Sequence, residues 1–445
     1  MENRVYVDVP ANLYQMDWLL IIAVFVGIYA IIAGYIKIRG LWGEHVMFYG
    51  PILALKTSRV GIFDWFTRYA RFLRLYGTAG VALVAIISFL ISILLVLSVN
   101  YTLIFQPEPT GIYEPQNILL LPGINEFIPS TFAVWFAFLL TIFIHEFGHG
   151  ILCRVEQITV RSMGALIAVI PIGFFVEPDE EELEALGGMP KVRMFGAGIS
   201  NNMVVGFACF GVLLLLAGMA VPVSIPLIHG IYQDSPADLA GIPANSRIVS
   251  VNGIPVETRE EISGILDGTR PGDQVTIEVI HEEDRSVHTL ILGEWPEEME
   301  GRDSGFMGIY YFDAQTAESI LDSLGSPLGF LRFITIPFDT SLGGKYLRVL
   351  AFDSIETTYF IEPFALYWEL AHLFFWSAWI NINVGIFNAI PMIPLDGGYI
   401  MQEGVRKLLP GKRREPVAKM VVAGISWVML LMILSIILLP YLLHL

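Results

Sequence analysis

Long apolar runs constrain the fold of this chain more than any other feature. A helix needs about 20 mostly apolar residues to cross a bilayer. Six runs approach or exceed that length, at residues 18–36, 79–101, 129–152, 194–220, 367–390 and 420–443. We therefore expect a polytopic α-helical membrane protein with about six spans. The first run follows an acidic segment and is long enough to span, so it does not fit a cleaved signal peptide.

The composition agrees with a membrane protein and excludes other classes. Of the 445 residues, 55% are hydrophobic and 16% are charged, whereas a typical soluble domain has about 25% charged residues. The formal net charge of −17 argues against a nucleic-acid-binding protein, because such a protein needs a basic face. Cys153 and Cys209 both lie in apolar stretches, which excludes a disulfide framework.

The basic residues of the short loops predict the orientation of the spans. Cytoplasmic loops of membrane proteins carry an excess of Lys and Arg. The loop after the first run and the loop before the last run are rich in both, whereas residues 107–126 contain neither. Six spans with both termini outside satisfy all three loops. The third and fifth runs then end at the cytoplasmic face.

The stretch between the fourth and fifth runs predicts a soluble domain. Apolar and polar residues alternate at 247–252, 274–280 and 287–292, which is the periodicity of half-buried strands. Residues 226–304 contain 16 acidic and 5 basic residues, a net charge of −11. We expect an α+β domain with an acidic, solvated surface, inserted on the extracytoplasmic side.

These patterns divide the chain into six parts. An N-terminal two-span region with a cytoplasmic loop comes first, and a C-terminal cytoplasmic loop with the last span comes at the end. Between them we expect two halves of a core that are separated by the α+β domain and a linker without clear periodicity. The predicted parts are 1–104, 128–222, 223–295 (domain), 296–364 (linker), 365–400 and 401–445.

The third run ends in a motif that predicts a metal site, His145-Glu146-Phe147-Gly148-His149. Two histidines four residues apart project from one face of a helix. There they can bind one zinc ion, while Glu146 can take a proton from a water that the zinc activates. Ionisable residues inside a span are costly and usually functional. The alternative, two histidines satisfied by backbone carbonyls, is the less expected one.

A second motif supplies a candidate third ligand, since a catalytic zinc usually has three protein ligands and an open position. The fifth run ends in Asn388-Ala389-Ile390-Pro391-Met392-Ile393-Pro394-Leu395-Asp396-Gly397-Gly398. The prolines and glycines break the helix and allow Asp396 to turn inward, at the same end as His145 and His149. An Asp-Gly pair after a span is by itself usually a turn. Together with the histidines it makes Asp396 the best third ligand.

The two motifs together resemble those of the site-2 proteases, which are zinc intramembrane proteases. The family pattern NxxPxPxLDG is matched at each fixed position of residues 388–397. The resemblance implies zinc as the cofactor and Glu146 as the general base. It also implies that Asn388 contacts the substrate backbone. The zinc ligands that it implies are His145, His149 and Asp396.

Two further segments are similar to features of that family. Residues 196–202 read Gly-Ala-Gly-Ile-Ser-Asn-Asn and match a glycine-rich span with an asparagine, which makes Asn202 a candidate substrate-binding residue. Small residues in a span also serve close helix packing. Residues 163–176 form an apolar run that is too short and too broken by glycine and proline to span. They predict a re-entrant strand or hairpin. Residues 170–176 are similar to the family's membrane-embedded hairpin, although Gly173-Phe174 stands where Gly-Gly is usual.

The inserted domain resembles the PDZ domains of membrane-associated proteases. The matching segments are residues 230–242 and 248–253. Asn245-Ser246-Arg247 stands where a Gly-Asp pair is usual. PDZ domains bind peptides by adding a strand to an open sheet edge. The resemblance leaves two roles open, peptide binding and the exclusion of bulky ectodomains.

The function predicted from these features is hydrolysis of a peptide bond within or near the transmembrane segment of a membrane-anchored regulatory protein. The expected partners are a single-span membrane substrate and the lipid bilayer, with no nucleic acid. Three alternatives remain at this point. They are a membrane-anchored PDZ scaffold without protease activity, a metal-binding transporter, and a protease of prenylated tails. The last would require an ExxxD run that no span contains.

Overall fold

The computed structural model describes residues 5–6, 18–43, 45–118, 120–281, 284–296, 299, 303–339, 341–409 and 414–444. The chain forms two compact units. The first, here called the membrane unit, comprises Asp17–Leu213 and His372–Leu445. The second, here called the inserted unit, comprises Met1–Met16 and Leu214–Ala371.

The long helices follow the predicted apolar runs. Within the described residues, five helical segments are long and apolar enough to cross a membrane, and they correspond to five of the six runs. The first run also forms a helix, and the count of six spans stays a prediction. The long helices are α1 (Trp18–Arg39), α2 (Ala70–Phe105), α3 (Phe132–Val155), α5 (Met189–Ala217), α11 (Tyr367–Asn388) and α13 (Arg414–Leu443). The shorter helices of the membrane unit are α4 (Glu180–Ala185) and α12 (Asp396–Leu408).

The membrane unit also contains an antiparallel sheet of four strands in the order β2-β3-β4-β5. The strands are β2 (Val46–Tyr49), β3 (Ile52–Thr57), β4 (Val160–Ala168) and β5 (Ile170–Pro178). The predicted hairpin is confirmed as the β4–β5 pair, in which Ala165 lies opposite Phe174. Strand β5 is last in this order, so one of its edges carries no strand of this sheet.

Glycines allow α5 to approach its neighbours closely. A Cβ atom on Gly148 of α3 would lie 2.9 Å from the carbonyl oxygen of Ala197. A Cβ atom on Gly206 would lie 2.6 Å from Cγ1 of Ile382 in α11. Small residues at such contacts let helix backbones pack tightly in a membrane. The glycines therefore bring the ends of α3 and α11, which carry the two predicted motifs, toward the same helix.

The inserted unit contains the predicted strands. Its four-stranded sheet has the order β11-β10-β8-β9, and a second sheet has the order β1-β7-β12. The strands of these sheets are β1 (Val5–Tyr6), β7 (Ile228–Tyr232), β8 (Arg247–Val251), β9 (Ile254–Pro255), β10 (Gln274–His281), β11 (Asp284–Ile291) and β12 (Ile309–Tyr311). Inward-facing residues such as Ile248, Val251 and Ile277 form a buried core.

Helices and short strands complete this unit. They are α6 (Pro236–Leu239), α7 (Arg259–Leu266), α8 (Ala314–Ser323), α9 (Pro327–Thr335), α10 (Leu342–Arg348), β6 (Val221–Pro222) and β13 (Phe360–Ile361). Thr258 and Glu261 form a reciprocal capping box at the start of α7. Strand β12 lies inside the predicted linker 296–364 but pairs with β7, so the fold of the domain continues beyond residue 295.

Candidate metal centre

The two histidines of the first motif meet on one face of α3. The helix begins after Thr131, whose side chain accepts a hydrogen bond from the backbone N–H of Val134. His145 and His149 lie one turn apart near its other end, and both rings project from the same side. Their Nε2 atoms are 3.2 Å apart. Two ligand nitrogens are thus already paired by the helical spacing.

Asp396 reaches this pair from the first position of α12, directly after the turn that follows α11. Its Oδ2 atom lies 3.1 Å from Nε2 of His145 and 3.2 Å from Nε2 of His149. The turn folds back on the end of α11 because glycines follow the aspartate. A Cβ atom on Gly397 would lie 2.5 Å from the carbonyl oxygen of Ala389, and one on Gly398 would lie 2.5 Å from the nitrogen of Ile393.

The three side-chain atoms fit a zinc ion. Zinc-to-ligand distances of about 2.0–2.1 Å at tetrahedral angles separate ligand atoms by about 3.3–3.4 Å, close to the observed 3.1–3.2 Å. Oδ2 of Asp396 is buried and makes no hydrogen bond of acceptable geometry with the described residues. A cation would satisfy this oxygen. Two imidazoles and one carboxylate are also a usual donor set for zinc.

Gly198 keeps the space beside these atoms open. A Cβ atom at this position would lie 2.6 Å from Nε2 of His149 and 2.7 Å from Nε2 of His145. Any side chain here would press on the two nitrogens that face Asp396. The glycine-rich segment of α5 therefore leaves room for the two histidine rings at the centre, in addition to allowing close helix packing.

Two groups on the same stripe of α5 hold the far nitrogens of the histidines. Nδ1 of His149 lies 2.9 Å from the carbonyl oxygen of Met194. A carbonyl only accepts hydrogen bonds, so this Nδ1 carries the proton and Nε2 keeps its lone pair. Met194, Gly198 and Asn202 follow one another at intervals of four residues and so face α3 together.

Asn202 is the corresponding group for His145. Its side chain is buried, and its amide lies 3.2 Å from Nδ1 of His145. Oδ1 of Asn202 lacks a hydrogen-bond partner among the described residues. With the amide turned so that Oδ1 faces Nδ1–H, Oδ1 accepts this hydrogen bond, and Nε2 of His145 keeps its lone pair. Such outer partners usually fix the tautomer and orientation of a ligating histidine.

This contact gives a prediction for Asn202. Replacing Asn202 with Ala should weaken zinc binding about 10- to 100-fold, because His145 loses the partner that fixes its tautomer and ring orientation. Competition with a chelator of known affinity measures the effect. Asn383→Ala in α11 is a matched control, since the amide of Asn383 donates to the carbonyl oxygen of Trp379 one turn earlier in its own helix. Equal zinc affinity in wild type and Asn202→Ala would contradict the assignment.

Glu146 points toward the sheet. Its Oε2 atom accepts a hydrogen bond of 3.2 Å from the backbone N–H of Val176 in β5. This N–H lies on the edge of β5 that carries no strand of the sheet. The carboxylate next to the histidine pair therefore also contacts the last strand of this sheet.

Asn388, the other predicted substrate contact, lies at the end of α11. Its amide donates to the carbonyl oxygen of Val384 one turn earlier, and its side chain is partly buried. The structure thus brings His145, His149, Asp396 and Asn202 together. The side chain of Asn388 hydrogen-bonds within α11 and not to these four residues. That Asn388 contacts a substrate stays a prediction.

Some residues of the centre carried no usable sequence signal. Ser426 of α13 accepts a hydrogen bond of 3.0 Å from the backbone N–H of Ile393 and so holds the turn that precedes Asp396. Met194 and Val176 act through backbone groups, which residue identity does not reveal. The interval of four residues linking Met194, Gly198 and Asn202 is the one pattern that could have indicated a shared face.

Comparison with known proteins places most of this chain within one family pattern. Residues 133–434 match Peptidase family M50. The zinc metalloprotease RasP of Shouchella clausii is 29% identical over 252 residues, which cover 55% of this chain and 58% of that protein. A putative zinc metalloprotease of Mesorhizobium japonicum is 26% identical over 350 residues, covering 64% of this chain and 90% of that protein.

A shorter match and a structural one complete the comparison. The probable protease eep of Enterococcus faecalis is 25% identical over 250 residues, or 54% of this chain and 56% of that protein. A PDZ domain of an SdrC-like protein from Listeria monocytogenes aligns with 21% of this chain and 93% of its own length, at 19% identity and a TM-score of 0.18. The match with RasP and the match with eep each span less than two thirds of the relative.

Proposed function

This chain belongs to peptidase family M50, and from that premise we propose that it hydrolyses a peptide bond within or near the transmembrane segment of a membrane-anchored protein. One observation carries the proposal. Nε2 of His145, Nε2 of His149 and Oδ2 of Asp396 lie within 3.2 Å of one another, beside the carboxylate-bearing Glu146. Zinc is the cofactor of the family, and these three atoms are its proposed ligands.

Each residue of the centre has its own role in the proposed hydrolysis. Zinc bound at the centre would polarise the scissile carbonyl and lower the pKa of a water molecule. Glu146 accepts a proton as the water oxygen bonds to the carbonyl carbon, and then passes it to the amine nitrogen as the C–N bond breaks. His145, His149 and Asp396 stay fixed by the α5 groups and by the turn after α11.

The open edge of β5 suggests how the substrate is held. An extended peptide can add to a free strand edge through main-chain hydrogen bonds. Val176 lies on this edge and touches Glu146, so a peptide paired there would present its carbonyl groups near the general base. A helical substrate shields its carbonyls, and helix-breaking residues in the target segment would favour this pairing.

A zinc-dependence experiment tests the proposal. The full chain, purified in detergent, should cleave casein, an unfolded protein that needs no prior unwinding. Addition of 1,10-phenanthroline should lower the rate at least about 100-fold, and added Zn²⁺ should restore it. Cleavage that persists at the original rate after the metal is removed would contradict the proposal. A zinc-loaded, folded chain without cleavage would favour a transporter or a scaffold.

We also propose that the metal centre lies near the cytoplasmic face and that the inserted unit lies outside, in a protein of six spans. The basic loops around residues 37–74 and 406–419, and the loop 107–126 without Lys or Arg, support this orientation. Single cysteines introduced at Glu108 and Lys407 into a chain with both native cysteines changed to Ala would test it. Only the first should react with an impermeant maleimide applied outside intact cells.

The inserted unit offers a groove for a peptide, the proposed second contact with substrates. A cavity of about 730 Å³ lies between α7 and β12, with Ser263 on one side and Met307 and Ile309 on the other. Strand β12 pairs with β7 and is last in its sheet order, so it can accept an added strand. Ser263→Trp, which fills the cavity, should abolish binding of random decapeptides with free carboxyl termini to the full chain. Undiminished binding would contradict this role.

A further inference from the structure

The membrane unit contains an apolar cavity in contact with Glu146. It measures about 360 Å³ and is lined by Phe63 and by residues of α3, β3, β4 and β5. Cavities of about 300–1,000 Å³ with mostly apolar walls and few polar groups are typical of binding sites. The polar residues of its lining are Glu146, Lys56 and Thr57, and the other lining residues are apolar or glycine.

The floor of the cavity follows from the strand register. Residues that lie directly opposite each other on paired antiparallel strands share a face of the sheet. Leu55, Ala165 and Phe174 form one such row across β3, β4 and β5. The next row on the same face is Thr57, Met163 and Val176. Ala165 lies at the middle of the first row, and its small side chain leaves the space above it open.

Aromatic rings form the roof. Phe143 and Phe147 of α3 stack with ring centroids 5.3 Å apart, and Phe63 packs against Phe147 at 5.2 Å. Phe63 is fully buried, and a Cβ atom on Gly150 would lie 2.4 Å from its ring. The segment that carries Phe63 is therefore fitted closely to the helix of the first motif.

Part of this cavity comes from a region that the family match does not include. The match begins at residue 133, whereas Phe63 and residues 55–57 precede it. These residues close the cavity between the sheet and α3. The N-terminal region thus contributes directly to a wall beside Glu146, in addition to any role in spanning the membrane.

We propose that this cavity binds one bulky apolar side chain of the substrate, at the residue next to the bond that is cut. The proposal rests on the proposed function and adds the substrate class. Large aliphatic and aromatic residues are accepted, and the N-terminal region helps to set this preference. Phe63, Ala165 and Phe174 are the specificity-determining residues.

The position of the cavity favours a peptide side chain over other occupants. Val176 belongs both to β5, the last strand of its sheet, and to the lining, and its N–H donates to Glu146. In an added strand, alternate side chains point to the same face as those of the neighbouring strand. A peptide paired with β5 would therefore direct one side chain of each consecutive pair to the face of Phe174 and Val176, which line the cavity, while its backbone passes Glu146.

Cleavage-site mapping with casein tests the proposal. The zinc-loaded full chain digests casein in detergent, and mass spectrometry identifies the residues on both sides of each cut. Wild type should favour Phe, Tyr, Leu or Met at one flanking position. Ala165→Leu should lower the ratio of these residues to Gly, Ala and Ser at that position at least about 10-fold. Ala168→Leu is the matched control, being the same change on the same strand outside the cavity lining, and should leave the ratio unchanged.

A second variant and a second measurement decide the remaining outcomes. If Ala165→Leu fails to fold, Phe174→Ala provides the test. It enlarges the cavity, so it should raise the share of Trp and Phe at the flanking position. Cleavage sites that are identical in wild type and both variants, while each binds zinc, would overturn the inference and leave the proposed function intact. Native mass spectrometry could also find a lipid that is bound to wild type and displaced in Ala165→Leu. If the cleavage sites in casein are then unchanged, the same conclusion follows. A zinc-loaded wild type without cleavage would overturn both.

Discussion

Replacing Glu146 with Gln should stop peptide hydrolysis and leave the zinc content unchanged. Glutamine retains an oxygen that can accept the hydrogen bond from the N–H of Val176, so the local structure is kept. It cannot accept a proton from the attacking water at neutral pH. Loss of a general base costs about 10²- to 10⁴-fold in rate. We expect casein cleavage to fall by at least about 100-fold.

The measurement pairs initial cleavage rates with zinc per chain. Glu184→Gln, the same chemical change at an exposed position of α4, should match wild type in both. Residual activity of Glu146→Gln above a few per cent of wild type would remove Glu146 from the role of general base. Loss of zinc in this variant would assign Glu146 to metal binding.

Replacing Gly198 with Ala should abolish zinc binding although each proposed ligand is retained. The added methyl group would lie within 2.7 Å of both ligand nitrogens, at 2.6 Å from His149 Nε2. At that distance the rings must move apart, and the triangle with Asp396 is lost. We expect zinc per chain to fall at least about 10-fold, and cleavage to fall with it.

Gly196→Ala provides the matched control for this prediction. Gly196 lies two residues earlier on the same helix, and a Cβ atom there would meet Cγ2 of Val81 at 3.4 Å, an ordinary van der Waals contact. This variant should bind zinc as wild type does. The prediction is wrong if Gly198→Ala, shown to be folded, binds zinc with unchanged affinity. That result would place the metal away from α5.

The apolar runs predict the helices well because length and hydropathy are local properties. α3, α5 and α11 lie where their runs predict them, and His145 and His149 meet because a helix fixes the relation between residues four apart. Asp396 could be nominated from its prolines and glycines. Its distance to the histidines could not be predicted from the sequence, because that distance depends on how the turn after α11 folds back.

Long-range strand pairing escapes this kind of prediction. β3 lies about 100 residues before β4 in the chain but pairs with it. The local periodicity of β3 does not indicate with which strand it pairs. The same is true of β12, which completes the sheet of β7 from inside the predicted linker. Phe63 is an unremarkable residue in the sequence, and only the packing of α3 shows that it closes the cavity beside Glu146.

Asn202 shows a different limit of sequence reasoning. The family resemblance nominated it as a substrate-binding residue, a prediction that the geometry leaves untested. The structure adds a contact with His145 that residue type alone could not indicate. Met194 holds His149 through a backbone carbonyl, and any residue at that position would offer the same atom.

Zinc content tests the central claim most directly, because it requires no known substrate. The wild type, His145→Ala and Asp396→Ala are purified in detergent without added metal, and zinc per chain is measured by mass spectrometry of the element. The account predicts about one zinc per chain in the wild type and its loss in both variants, although the two residues lie 251 positions apart in the sequence. A folded wild type that takes up no zinc when the metal is supplied, or an Asp396→Ala variant that keeps it, would contradict the account.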